Sequence, residues 1–228
     1  MLCGDGSACA NSQLIKVKAT KFTVNPFGEN TYLAWDEPTR HAIIIDPGMM
    51  QDHERNVVTK FIDDNNLVMQ KVLLTHVHID HVTSARWMAD RYGISVAASP
   101  LEAPYALALP AQAEHFRLRL PVEALTIDQP LADGDTLMLG DETIHVLAMP
   151  GHSPGGLAFY APDSALVFTG DSVFEGSIGR TDLPGGDYGT LIKSIQEKIL
   201  TLPPATLLIP GHGPATTVAN ELEYNPFF

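Results

Sequence analysis

Three histidines and one aspartate fall within six consecutive positions of this 228-residue chain, at His76, His78, Asp80 and His81. Neutral imidazole binds zinc, iron and similar divalent ions, and a carboxylate compensates part of their charge. Four donors exceed what one metal ion usually takes from a single segment. We therefore predict two neighbouring ions, with His76 and His78 on one side of the segment and Asp80 and His81 on the other. A polar loop with exposed histidines is the alternative, and it suits a lone histidine better than this cluster.

An apolar strand and a helix are predicted to flank the cluster. Residues 71–75, KVLLT, are apolar and rich in β-branched side chains, which predicts a buried strand. Residues 84–92 predict a helix that Thr83 or Ser84 caps. The cluster is therefore expected on a loop between a strand end and a helix start, where both elements can hold its side chains in place.

Three later segments each add one potential ligand directly after an apolar strand. These ligands are His152, Asp171 and His212, and each is flanked by glycine or proline. Glycine lets the backbone approach closely, and proline stiffens a loop. If the strand ends converge, seven side chains and a bridging water complete two metal sites of about five ligands each. The other histidines, His41, His53, His115 and His145, lack this context and are interpreted as structural or surface residues.

The apolar periodicity predicts several strands followed by helix in each half of the chain, without a linker between the halves. This pattern favours one domain in which two sheets pack face to face with helices outside. Residues 100–121 contain four prolines and are interpreted as a surface excursion of short helices and loops that either flanks a pocket or only packs on a sheet. The predicted helices are residues 51–64, 84–92 and 188–200, and the predicted strands are residues 14–24, 30–35, 42–46, 71–75, 95–98, 136–139, 143–148, 157–160, 165–169 and 206–209.

Composition excludes some functions. The hydrophobic content of 45% is enough for a core, and no apolar run is long enough to span a membrane. The net charge of −13 argues against nucleic-acid binding, because no basic stripe exists to neutralise phosphates. We expect a small-molecule substrate, with neither nucleic acid nor membrane as a partner.

The first 13 residues predict a flexible arm, and residues 14–228 the folded domain. The arm lacks the basic and apolar regions of a secretory signal, so a cytoplasmic location is expected. Cys3 and Cys9 both lie in the arm, and we expect neither to have a role, although they could pair or bind a metal.

Taken in order, these motifs resemble the metallo-β-lactamase superfamily. The match comprises Asp46-Pro47-Gly48 at the end of a strand, the four donors of the cluster, and then His152, Asp171 and His212. Residues 30–32, 151–155, 179–182 and 225–227 are similar to glyoxalase II-like hydrolases within that superfamily.

This resemblance implies an α+β fold, a four-layer αββα sandwich in a single domain. It places His76, His78 and His152 on one ion and Asp80, His81 and His212 on the other, with Asp171 bridging them. Asp46 would support the histidine segment without binding a metal. The chain has Val82-Thr83-Ser84-Ala85 where the family has Gly-Gly, so the packing of the segment is expected to differ.

The expected activity is hydrolysis of a hydroxyacyl thioester by a hydroxide that bridges two divalent ions. Zinc is favoured, and iron or manganese is possible with the same ligands. Asp80 and Asp171 are the predicted catalytic residues, because Asp171 would bridge the ions and Asp80 would orient the hydroxide. The chain ends shortly after His212, whereas glyoxalase II enzymes continue into a helical domain that binds glutathione. We therefore expect poor selectivity for glutathione.

Two other functions stay open. One is the persulfide dioxygenase branch, an oxidoreductase with a single iron, here on His76, His152 and Asp171. That branch shares the Gly-Arg-Thr-Asp sequence of residues 179–182, but it typically has Ala-His-Asp where this chain has Gly-His-Gly at residues 211–213. The other is a metal-binding domain without catalysis, which the complete set of seven donors disfavours.

Overall fold

The computed structural model describes residues 16–228. The predicted arm at residues 1–13, with Cys3 and Cys9, lies outside the described residues, as do the first two residues of the first predicted strand. Within residues 16–228, no helix combines the length and the apolar composition that crossing a bilayer requires.

Strands β1 to β14 occur in the described chain in this order: β1 Val17–Val24, β2 Glu29–Asp36, β3 His41–Ile45, β4 Val68–Leu73, β5 Ser95–Ala98, β6 Gln129–Pro130, β7 Thr136–Leu139, β8 Glu142–Ala148, β9 Leu157–Ala161, β10 Leu166–Gly170, β11 Val173–Phe174, β12 Ser177–Ile178, β13 Leu207–Pro210 and β14 Thr216–Thr217. The α-helices are α1 Asp52–Asp64, α2 Ile79–Val82, α3 Ala85–Tyr92, α4 Ala103–Leu107, α5 Leu109–His115, α6 Tyr188–Ser194 and α7 Val218–Tyr224.

Two six-stranded sheets form the centre of the fold. The first has the order β1-β2-β3-β4-β5-β6, and the second has the order β14-β13-β10-β9-β8-β7. Three separate hydrophobic cores show that these sheets lie between helical layers. One core packs the first sheet on α1 and α3, one lies between the sheets, and one packs the second sheet on α6 and α7. The expected αββα sandwich in a single domain is confirmed.

Strand β3 shows why its sequence is apolar throughout. Alternate side chains of a strand point to opposite faces, and both faces of this sheet are buried. Ile43 and Ile45 therefore enter the core between the sheets, whereas Ala42 and Ile44 enter the core under the helices. A strand with one solvent-exposed face would have carried polar residues at alternate positions.

The pairing brings the carboxyl ends of distant strands together. β3, β4 and β5 run parallel, with Ile45 opposite Leu73 and Leu73 opposite Ala97. In the second sheet, β10 runs parallel to β13. The segments that come after parallel neighbours leave the sheet at the same edge, so both sheets present their donor-bearing loops at one rim.

Hydrogen bonds join the two sheets at that rim. The Leu157 backbone N–H donates to the Thr75 carbonyl over 2.7 Å, and the Asn30 N–H donates to the Gly211 carbonyl over 2.7 Å. These bonds connect the segments after β4 and β13 to the opposite sheet, and they fix the distance across the rim.

Most predicted elements agree with the structure to within one residue, and the exceptions have local causes. The predicted strand at residues 71–75 is β4, which begins three residues earlier, at Val68, and ends at Leu73. It ends there because the Thr75 N–H donates to the Asp46 carboxylate instead of to a strand. Asp80 and His81 lie in the short helix α2 rather than in a loop. Ser84 precedes α3, but its hydroxyl donates to the Met49 carbonyl instead of capping the helix.

Two further segments differ from the prediction. The predicted helix at residues 188–200 is α-helical only in α6 and continues as a π-helical segment, Ile195–Ile199. Residues 100–121 form a 3₁₀ turn, Pro100–Glu102, followed by α4 and α5. The sequence did not predict the C-terminal helix α7, which Thr217 caps through its side chain.

Candidate metal centre

The rim of the two sheets holds six of the seven predicted ligands in two neighbouring groups of three. The first group comprises His76 and His78 from the segment after β4 and His152 from the segment after β8. The His152 Nε2 atom lies 3.3 Å from His76 Nε2 and 2.9 Å from His78 Nδ1. Three nitrogen atoms therefore converge on one point, at spacings that a single ion can span.

The second group comprises Asp80 and His81 from α2 and His212 from the segment after β13. Asp80 Oδ2 lies 3.3 Å from His212 Nε2 and 3.8 Å from His81 Nε2. His81 is fully buried, whereas the His212 side chain is 26% exposed, so this group is open to solvent on one side.

Asp171 lies between the two groups, directly after β10. Its Oδ2 atom is 3.7 Å from His152 Nε2 in the first group and 3.6 Å from His212 Nε2 in the second. Its Oδ1 atom is 3.5 Å from His81 Nε2. One carboxylate thus faces ligand atoms of both groups.

Gly211 allows this close approach. A Cβ atom at residue 211 would overlap Asp171 Oδ1 and crowd the His81 ring. The glycine next to His212 is therefore required by space, because any larger residue would push the β13 segment away from the carboxylate.

Asp46 contacts the histidine segment on the side away from the centre. Its Oδ1 accepts from Thr75 N–H at 2.7 Å, and its Oδ2 accepts from the Thr75 hydroxyl at 2.5 Å. Oδ2 also lies 3.1 Å from His81 Nδ1, on the ring edge opposite the Nε2 atom that faces the centre. Asp46 has a positive φ of 49°, a strained conformation for a residue with a side chain. These contacts hold the Thr75 backbone and the His81 ring in place.

The Nδ1 atoms of His76 and His152 are held by hydrogen-bond partners in a similar way. His76 Nδ1 lies 3.0 Å from the Thr75 hydroxyl, and His152 Nδ1 lies 2.8 Å from the Arg180 carbonyl. A partner on one ring nitrogen leaves the other nitrogen aimed at the centre, which is how metal-binding histidines are commonly oriented.

Burial and charge favour the metal-binding states of His76, His78 and Asp171, but they favour the protonated state of His81. Burial, aided by the neighbouring histidines, lowers the pKa of His76 well below its usual value, and burial lowers the pKa of His78 to about 4. Burial alone would raise the pKa of Asp171. The charge of the neighbouring His81 and its hydrogen bond have a larger effect and hold that pKa well below its usual range. Burial alone would lower the pKa of His81. The negative charges of Asp171 and Asp80 have a larger effect and raise that pKa well above its usual value. A bound metal would displace the His81 proton.

The donor set fits divalent metal ions. Among the described residues, His81 Nε2 and Asp171 Oδ1 are buried without a hydrogen-bond partner, and both face the space between the groups. Leaving buried polar atoms unpaired is costly, so a ligand is expected there. Imidazole nitrogens and carboxylate oxygens are suitable donors for zinc, iron or manganese.

Three residues that the sequence analysis missed also shape the centre. Glu102, buried at 1% exposure, accepts from Val77 N–H at 3.0 Å and from Gly155 N–H at 2.7 Å. One carboxylate thereby links the segment of His76 and His78 to the segment of His152. No motif or spacing marks this residue, because both of its partners are backbone groups.

Gln112 and Glu29 are the other two. The Gln112 side chain accepts from Ile79 N–H at 3.1 Å and donates to the Val77 carbonyl at 3.2 Å, which ties α5 to the histidine segment. Glu29 is fully buried, and burial raises its pKa well above the usual value. Its Oε1 atom is 3.9 Å from His81 Nδ1, and its other oxygen accepts from a threonine hydroxyl of the same strand, β2.

The remaining histidines lie away from the two groups. His53 is exposed on α1, and His41 is half-buried at the start of β3. His145 is half-buried on β8, with its ring 6.4 Å from the Tyr160 ring. His115 is exposed on α5, but it lines the same cavity as His78, a position that its sequence context did not indicate.

We predict that Asp46→Ala lowers metal affinity about 10–100-fold, the usual loss when a group that orients a ligand is removed. The loss arises because His81 and the Thr75 backbone lose their acceptor. Asp36→Ala is the matched control, since Asp36 is also buried and also accepts from a threonine N–H and hydroxyl, those of Thr39, but in a turn after β2. Metal titration of both folded variants is the measurement. Unchanged affinity in Asp46→Ala would contradict the role assigned to it.

We also predict that Glu102→Ala weakens metal binding by about 10-fold or more, because two backbone N–H groups that position the first group lose their acceptor. Glu142→Ala is the control. Glu142 is fully buried and accepts from Asp163 N–H and the Ser164 hydroxyl, away from the centre. Both variants should lose thermal stability, but only Glu102→Ala should lose metal. Equal metal affinity in the two variants would refute the positioning role of Glu102.

Comparison with known proteins places this geometry in a family. The family model for the metallo-beta-lactamase superfamily matches residues 24–212, which contain all seven donors. Hydroxyacylglutathione hydrolase GloC from Haemophilus influenzae is 37% identical over 206 residues, covering 90% of this chain and 94% of the relative.

Solved structures agree with the family match. The BLEG-1 B3 metallo-beta-lactamase has a TM-score of 0.83 at 35% identity, and the match covers 92% of this chain and 99% of that structure. TTHA1623, solved in a di-iron-bound form, has a TM-score of 0.80 at 37% identity, covering 92% of this chain and all of that structure. The resemblance inferred from the motifs is confirmed: this chain belongs to the metallo-β-lactamase superfamily.

Proposed function

We propose that this chain is a hydrolase with two divalent metal ions that cleaves an acyl thioester. The observation that carries the proposal is the position of Asp171, whose Oδ2 lies 3.7 Å from His152 Nε2 and 3.6 Å from His212 Nε2. A carboxylate in reach of both donor groups suits a pair of ions better than one. Bound ions would acidify a water molecule and polarise the substrate carbonyl.

Each ligand has a distinct part in this proposal. His76, His78 and His152 would hold one ion, and Asp80, His81 and His212 would hold the other, with Asp171 shared. The carboxylates of Asp80 and Asp171 would offset part of the metal charge. Asp80 remains 16% exposed, so its free oxygen can accept a hydrogen bond from the attacking water and orient it.

The assignment to thioesters draws on the relatives. The Haemophilus influenzae relative is named a hydroxyacylglutathione hydrolase, and it aligns with nine tenths of this chain. Zinc remains the favoured metal from the donor types, and iron is the leading alternative, since the TTHA1623 structure contains two iron ions.

A second candidate is a mononuclear iron persulfide dioxygenase. His76 and His152 present nitrogens 3.3 Å apart, and Asp171 lies 3.7 Å from His152. Two histidines and one carboxylate on one ion are the ligand set of many non-haem iron oxygenases. In this alternative His212 would not bind the metal.

We predict that His212→Ala separates the two candidates. In the hydrolase, the second ion loses one of its terminal ligands, so its occupancy should fall and thioester hydrolysis should drop about 100-fold or more. In the dioxygenase, iron content and persulfide oxidation should survive. Metal stoichiometry and both activities, measured on the same samples, are the readouts.

His145→Ala is the control variant, because His145 is half-buried on β8 and outside both donor groups. Circular dichroism should show that both variants are folded. Full thioester hydrolysis by His212→Ala with one metal missing would overturn the two-metal proposal.

A further inference from the structure

A cavity of about 390 Å³ opens beside the first donor group. This volume is in the range of small-molecule sites, about 300–1,000 Å³. Helices α4 and α5 form one wall, and the loop with Leu183 and Pro184 forms the other. His78 is part of the lining, and its Nδ1 atom is the one that lies 2.9 Å from His152 Nε2. The cavity is therefore continuous with the proposed reaction centre.

The lining is apolar. Within residues 16–228, the cavity is bounded by proline, alanine, leucine and aromatic side chains together with Gln112 and two histidines, and it includes no lysine, arginine or carboxylate. The Gln112 amide is already engaged with the backbone of Val77 and Ile79. A charged group would lose its hydration there and find no lysine, arginine or carboxylate to pair with, whereas an apolar group would gain free energy from leaving water.

The two walls meet at a close contact. A Cβ atom at Gly185 would overlap the Tyr105 hydroxyl, so the glycine lets the loop approach α4. Gly185 also has a positive φ of 87°, which favours glycine. The two walls therefore touch at this point, and α5 is tied to the histidine segment by Gln112. A group in this cleft would lie at a set distance from the donors.

We propose that this cleft binds the acyl group of the substrate, and that this acyl group is an uncharged aliphatic or aromatic chain. The proposal rests on the thioesterase function proposed above. The acyl part is the appropriate occupant because the thiol carriers of biological thioesters are polar and charged, and the cleft lining contains no lysine, arginine or carboxylate to pair with them. The thiol part would extend towards solvent, past the exposed side of the second donor group.

The test uses thioesters of one thiol, N-acetylcysteamine, with acetyl, butyryl, hexanoyl, phenylacetyl and succinyl groups. We expect kcat/KM to rise about fourfold for each methylene that the cleft buries, as in the transfer of apolar groups from water. The succinyl compound, which carries a carboxylate, should be hydrolysed more slowly than butyryl. A flat profile, or a preference for succinyl, would overturn the proposal.

Two variants test whether the preference for longer acyl chains arises in this cleft. Ala111 lines the cleft on α5 and is exposed, so Ala111→Trp should fill the cleft and remove the preference for hexanoyl while acetyl is still hydrolysed. Leu107 is 69% exposed on α4 and outside the cleft lining, so Leu107→Trp should keep the wild-type profile. A preference for hexanoyl that persists in Ala111→Trp would contradict the location.

Binding of ketone isosteres, in which a CH₂ group replaces the thioester sulfur, separates this inference from the proposed function. Calorimetry should give at least about tenfold tighter binding for the hexanoyl than for the acetyl isostere in wild type, and no difference in Ala111→Trp. This binding pattern without hydrolysis of any thioester would refute the hydrolase function but support the cleft. Hydrolysis without any dependence on chain length would refute the cleft and leave the hydrolase function intact.

Discussion

The Asp46 carboxylate accepts hydrogen bonds from the backbone N–H and the hydroxyl of Thr75, and its Oδ2 atom lies 3.1 Å from His81 Nδ1. The backbone of Asp46 is strained, with a positive φ. These contacts join the end of β3 to the segment after β4 and to α2. The two strands are parallel neighbours, so their ends leave the sheet side by side, and one short side chain can connect them. The positions of His76 and His81 relative to each other depend on this buried carboxylate.

The second constraint is the distance between the two sheets. The core between them sets that distance with Ile43, Ile45, Phe159 and Phe168, which are all buried. Three of the donors, His152, Asp171 and His212, come from the second sheet, and the other four come from the first. Packing between the sheets therefore decides whether the seven donors form one centre. Glu102 adds a direct link, since it holds one segment from each sheet.

Features that depend on local pattern could be predicted from the sequence. Apolar runs such as residues 42–46 and 165–169 indicated strands, and donors placed after those strands indicated the candidate ligands. The αββα layering came from the family resemblance as well as from periodicity. The short helix α2 was missed because a single turn has too few residues to show a helical period.

Features that depend on contacts between distant segments could not be predicted. Glu102 and Gln112 act through backbone groups of other segments, and such partners leave no spacing in the sequence. His115 and Ala111 line the cleft only because α5 lies against the histidine segment. The excursion at residues 100–121 was expected either to flank a pocket or only to pack on a sheet, and the fold shows that it forms a wall of the cleft.

The most direct test of the central claim is anomalous X-ray diffraction from crystals of the metal-loaded protein, with elemental analysis of the same sample. The account predicts two metal peaks per chain. One should be bound by His76, His78 and His152, and the other by Asp80, His81 and His212, with the Asp171 carboxylate in contact with both. A single ion bound by His76, His152 and Asp171, with no second peak after reconstitution with excess metal, would contradict it.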